Sequence, residues 1–69
     1  MRADVDRLRG KIAEKRITQE ELAKEIGMDS STFYRKMKAD GLAFTVGQMH
    51  KIADVLNLTS EEARLIFLA

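Results

Sequence analysis

Cysteine, proline and tryptophan are absent from this 69-residue chain, and histidine and tyrosine occur once each. Without cysteine there can be no disulfide, iron–sulfur cluster or thiolate nucleophile, and the composition fits a reducing compartment. The single histidine, His50, has no second histidine or cysteine to join it, so no metal site is expected. With no proline and only four glycines, little breaks a helix, which favours a compact helical domain over disorder or a strand-rich fold. No run approaches the ~18 apolar residues of a membrane span, and the charged opening MRADVDRLRG lacks the apolar core of a signal peptide. A cytoplasmic chain without a membrane partner is expected.

The residues that are present fit that frame. At 45% hydrophobic and 33% charged, the chain can fold around a core, but a chain of this length buries only about 60% of its unfolded surface. One domain over residues 1–69 is expected, with little spare stability and no room for a ligand-sensing domain. No cofactor and no small-molecule ligand are implied.

The net charge of +1 conceals an uneven distribution. Residues 1–29 carry seven basic and seven acidic groups, residues 30–51 four and one, and residues 52–69 one and three. The positive excess sits mid-chain, where a polyanion-facing element would need it.

Five short helices follow from the apolar spacing and the capping signals. Val5, Leu8 and Ile12 recur on one face of a first helix, about Ala3 to Lys15. Thr18 with Glu21 forms a capping box that starts the second at Gln19, stapled by Ile17 on Leu22, and Gly27 stops it. Asp29 is positioned to cap a third helix, Ser30 to Lys38. Thr45 with Gln48 opens a fourth, whose stripe of Val46, Met49, Ile52, Ala53 and Leu56 runs to Asn57. Thr59 with Glu62 opens the fifth, which ends in the run LIFL.

The second and third helices carry the functional signal. In ITQEELAKEIGMDSSTFYRKM, one amphipathic pattern is cut by a short glycine-containing turn. The helix after the turn buries Phe33 and Met37 at i, i+4 and turns Ser31, Arg35 and Lys38 outward at i, i+4, i+7. Two helices so joined, the second polar and basic outward, match the helix-turn-helix unit that seats its second helix in the DNA major groove.

Gln19, Ala23, Gly27, Met28 and Phe33 stand at the spacings of the Cro and phage-repressor helix-turn-helix family, which the chain resembles over nearly its whole length. Lys36 and the segment ADGLAF depart from that pattern, since many members carry a core leucine at the first and end the third helix differently at the second. The resemblance implies an all-α, lambda-repressor-like fold with one helix before the motif and two after it. It also implies that residues on the outer face of the third helix meet base edges, here Ser30, Ser31, Thr32 and Arg35. Arg35 is the strongest reader among them, because its fork of donors matches guanine O6 and N7. By the same resemblance Gln19 positions the motif on the backbone, and Thr18, Tyr34, Lys36, Lys38 and Thr45 are further candidates for phosphate contact.

Catalysis is not expected: Asp54, Glu61 and Glu62 are the nearest thing to an acid–base cluster, and two of them lie in a first helical turn where capping and the helix dipole explain them. Leu65, Ile66, Phe67 and Leu68 sweep most of a helical turn, more than one core face can take, so part of that surface is expected to form a homodimer interface, completed in solution or on DNA. The function so implied is that of a Cro-like repressor bound to double-stranded operator DNA. Alternatives are the amino-terminal domain of a longer phage repressor, or an antirepressor or antitoxin that uses the fold to bind protein.

Overall fold

The computed structural model describes residues 3–39 and 44–67, and among them it contains five α-helices and no strand. They are α1 (Val5–Glu14), α2 (Gln19–Glu25), α3 (Ser30–Lys38), α4 (Val46–Val55) and α5 (Ser60–Phe67). The expected five-helix, all-α architecture is thus observed.

Each helix starts where a side chain satisfies the amides that have no intrahelical partner. Thr18 and Glu21 form the reciprocal capping box on α2, Thr45 and Gln48 do so on α4, and Thr59 and Glu62 on α5. Asp4 caps α1, its carboxylate accepting the Arg7 N–H at 3.1 Å. Because Asp4 holds a non-helical backbone, the first helix begins at Val5 and not at Ala3. Ala3 is buried outside the helix, and the Asp4 N–H donates to the Ile66 carbonyl at 2.6 Å, which ties the start of α1 to α5.

Three helices end in the same way. Arg16, Gly27 and Asn57 have φ of +60°, +73° and +53°, and each follows a helix by one or two residues. Their N–H groups donate to Ala13, Lys24 and Asp54, while the next residues, Ile17, Met28 and Leu58, donate to Ile12, Ala23 and Ala53. That pair of bonds closes a helix through a left-handed residue and satisfies its last carbonyls. It also sets the boundaries: α2 ends at Glu25, before Gly27, and α4 at Val55, short of Asn57. Ile17, Met28 and Leu58 pack on the core, and each directly precedes the cap of the following helix.

The core is apolar throughout: no polar or charged residue is buried among those described. Phe33, Leu8, Leu22, Ile52, Leu56 and Ile66 are fully enclosed. Two expectations are corrected here. Val46, placed on the apolar stripe of the fourth helix, is 60% exposed, because it lies about a quarter-turn away from the face that Met49, Ile52 and Leu56 bury. Ile66 and Phe67 are not surface residues but core, 1% and 5% exposed, because α5 packs on α1 and turns both inward. Leu65 remains exposed, and Leu68 lies outside the described residues.

Candidate nucleic-acid interface

The turn between α2 and α3 determines which face of α3 is offered to solvent. Ile26 caps α2, Gly27 takes the left-handed conformation without steric penalty, and the Met28 N–H returns to the Ala23 carbonyl at 2.8 Å. Ala23 is fully buried, and its small side chain suits the close approach of α2 and α3, which pack on each other more extensively than any other pair. Asp29 then caps α3, accepting the Ser31 N–H at 3.2 Å.

From that start α3 has two unlike sides. Phe33 and Met37 are 0% and 1% exposed, and the Phe33 ring lies 5.5 Å from that of Phe44 at an interplanar angle of 48°. Burial of Phe33 and Met37 on one side sets the rotation of α3 about its own axis. Ser30, Ser31, Arg35 and Lys38 are exposed as a result, and Thr32 and Lys36 are half-buried. Three of the last four residues of α3, Arg35, Lys36 and Lys38, are basic, and no acidic residue stands in its first turn.

The outward side chains are partly pre-set. Arg35 Nη2 donates to Thr32 Oγ1 at 3.2 Å, which draws the guanidinium along the helix surface. Lys38 Nζ stands 5.0 Å from the centroid of the Tyr34 ring, within cation–π range, and Tyr34 itself is exposed. Ser31 Oγ donates to Asp29 Oδ2, and this bond is the first cause of an Asp29 pKa below the usual carboxylate range, followed by the Ser31 backbone N–H.

The remaining candidates stand at helix starts. Thr18 and Thr45 are exposed, and each hydroxyl accepts a backbone N–H at 3.0 Å, from Glu21 and from Gln48. Each still has a hydroxyl hydrogen to donate. Gln19 is half-buried, with its Oε1 enclosed and without a hydrogen-bond partner. Of ADGLAF, residues 40–43 lie outside the described residues.

Residues 7–63 match the Cro/C1-type HTH DNA-binding domain, an interval that reaches from α1 into α5 and takes in the whole α2–turn–α3 unit. The chain belongs to this family. No curated protein and no solved structure matches it. As a Cro/C1-type domain the chain is a DNA-binding module, with α2 and α3 as its helix-turn-helix. Among the described residues no helix is long and apolar enough to cross a membrane, and no group of three or more His, Cys, Asp or Glu could hold a metal ion.

Two features of this surface escape a reading of the sequence. Asp29 is legible as a cap, but its hold on the Ser31 hydroxyl is not, because serine two residues after an aspartate is commonplace. The Thr32–Arg35 bond is an i, i+3 pair whose spacing was visible, but whose side chains had other rotamers open to them.

Proposed function

We propose that this Cro/C1-type domain is a sequence-specific regulator that inserts α3 into the major groove of an operator and represses by occupying promoter DNA. The observation that carries the reading is the two-sidedness of α3: Phe33 and Met37 are locked in the core, while Ser30, Ser31, Arg35 and Lys38 are offered together to solvent. Ser30, Ser31, Thr32 and Arg35 are assigned to base edges. Thr18, Gln19, Tyr34, Lys36, Lys38 and Thr45 are assigned to the backbone, where they set register without reading sequence. Tyr34 and Lys38 act together in this assignment, the ring holding the ammonium at the end of α3.

A homodimer belongs to the same proposal, since one recognition helix seldom finds an operator among competing DNA. With Ile66 and most of Phe67 buried, we place the second copy, among the described residues, on the apolar groove between α4 and α5, which the edge of Phe67 also lines. Val46, Met49, Ala53, Leu58 and Ala63 line it, and Leu65 lies exposed on α5.

The test is binding of the purified chain to duplex DNA as salt is varied. Affinity that falls steeply with salt, together with a preference among duplex sequences, supports the reading. No duplex binding, with capture of a protein partner through the α4–α5 groove, would replace it with the antirepressor or antitoxin alternative.

A further inference from the structure

The hydrogen bonds around the start of α3 determine which way its hydroxyl groups can bond to a base. Asp29 Oδ2 accepts both the backbone N–H and the hydroxyl of Ser31. A serine hydroxyl has one hydrogen, and once it is given away only lone pairs remain to face outward. The Asp29 carboxyl is held below its ordinary pKa, first by that same Ser31 hydroxyl, so at neutral pH it is an acceptor and cannot return a proton. At the next residue the situation reverses. Thr32 Oγ1 accepts from Arg35, so the Thr32 hydroxyl retains its hydrogen to donate, and the guanidinium retains further N–H donors.

We propose that Asp29 is a specificity-determining residue, which locks the Ser31 hydroxyl as an acceptor and so makes it select the strand that bears an exocyclic amine. The inference rests on the operator-binding reading of α3 above. In the major groove every base pair shows one amine, adenine N6 or cytosine N4, and its partner base shows acceptors, thymine O4 or guanine O6 and N7. An acceptor-only hydroxyl therefore discriminates A·T from T·A and C·G from G·C at the pair it faces. A hydroxyl free to rotate bonds to either side and discriminates poorly. Arg35 stands four residues further on, about 6 Å along the helix axis, so its guanine is expected one or two base pairs from the amine.

The test uses the duplex that the protein enriches from a random pool, with each base pair of a half-site swapped between strands in turn. Dissociation constants are measured for the wild type and for Asp29→Asn, Asp29→Gly and Ser31→Ala. Asparagine keeps a carbonyl acceptor and glycine removes it, and both are good helix caps, so folding is preserved. At one position the wild type and Asp29→Asn should prefer the amine strand by about three- to tenfold, the worth of one net hydrogen bond. Asp29→Gly and Ser31→Ala should lose that preference there and keep it elsewhere.

Absolute affinity should rise in both Asp29 variants, because a negative charge leaves a surface facing phosphates, and the strand ratio is insensitive to that change. Retention of the full preference by Asp29→Gly, or by Ser31→Ala should the glycine variant not fold, overturns the inference while leaving operator binding intact. A wild type that enriches no sequence overturns the operator reading itself, and this inference with it.

Discussion

Glu62 joins two helices through the two oxygens of one carboxylate: Oε1 accepts the Thr59 N–H at 2.9 Å and starts α5, while Oε2 faces the Lys11 ammonium of α1. Lys11 also meets Glu14 at 3.0 Å, so a single cation on α1 gathers one acidic group from its own helix and one from α5. The Lys11 hydrogen bond is the first cause of a Glu62 pKa lowered to about 2, and Glu62 in turn is the first cause of a raised Lys11 pKa.

The stability of the domain should carry the signature of that pair. Unfolded, Glu62 takes up a proton near 4.5, and folded only near 2, so its contribution is complete above the first value and is lost as pH falls toward the second. On the alkaline side the Lys11 contribution is present below its ordinary 10.5 and is lost as pH rises beyond it. Glu62→Gln keeps a capping side chain but no charge. Its denaturation midpoint should fall less steeply than that of the wild type between pH 4.5 and 2. Parallel curves would show that the contact contributes nothing.

Gly27 and Arg16 occupy the same left-handed position after successive helices, so exchanging their residue types should act in opposite directions. A Cβ on Gly27 would meet nothing within 4 Å, which leaves the positive φ as the whole cost of Gly27→Ala. About 1 kcal/mol of destabilisation is expected once the stiffer unfolded chain is counted. Arg16→Gly should stabilise by about 0.5–1 kcal/mol, as relief of left-handed strain outweighs the added chain entropy. Chemical denaturation of both variants checks this, and destabilisation by Arg16→Gly would mean that the arginine side chain contributes to folding.

The α5 and α4 side chains should separate folding from assembly. Phe67→Ala is expected to cost about 3–5 kcal/mol, enough to unfold much of so small a domain, because the ring is in the core. Leu65→Glu and Val46→Glu change exposed positions, so the melting curve should stay within about 0.5 kcal/mol of wild type. If a second copy docks in the α4–α5 groove, Val46→Glu should abolish sedimentation as a dimer and cooperative DNA binding. An unaltered dimer would exclude that groove as the interface.

On DNA, Arg35→Ala should cost about 1–3 kcal/mol on the preferred duplex and relax preference at one base pair per half-site. Lys38→Ala should weaken all duplexes alike and lower the salt slope by about one unit. Uniform weakening by Arg35→Ala would reassign it to phosphate.

Much of this molecule was legible because its local signals agree with one another. Thr18, Asp29, Thr45 and Thr59 each announce a helix start by side-chain chemistry alone, and all four caps are where the sequence puts them. Gly27 announced its turn for the same reason, and Asn57, a residue that tolerates the left-handed region, stood at the end of the fourth stripe, whereas Arg16 gave no such signal, since arginine seldom adopts that conformation. The outer face of α3 could be read from the 3.6-residue period, because Phe33 and Met37 leave only one orientation open. The fate of Ile66 and Phe67 could not, because four consecutive apolar residues point all round a helix and only the packing of α5 on α1 chooses among them.

The central claim, that α3 reads operator DNA, is tested most directly by selecting bound duplexes from a random pool with the wild-type chain. The account predicts enrichment of a palindrome whose half-sites are centred about 10 base pairs, or roughly 34–36 Å, apart, with a guanine in each half-site that Arg35→Ala no longer requires. A pool that stays random, or a selected motif that Arg35→Ala leaves unchanged, would contradict it.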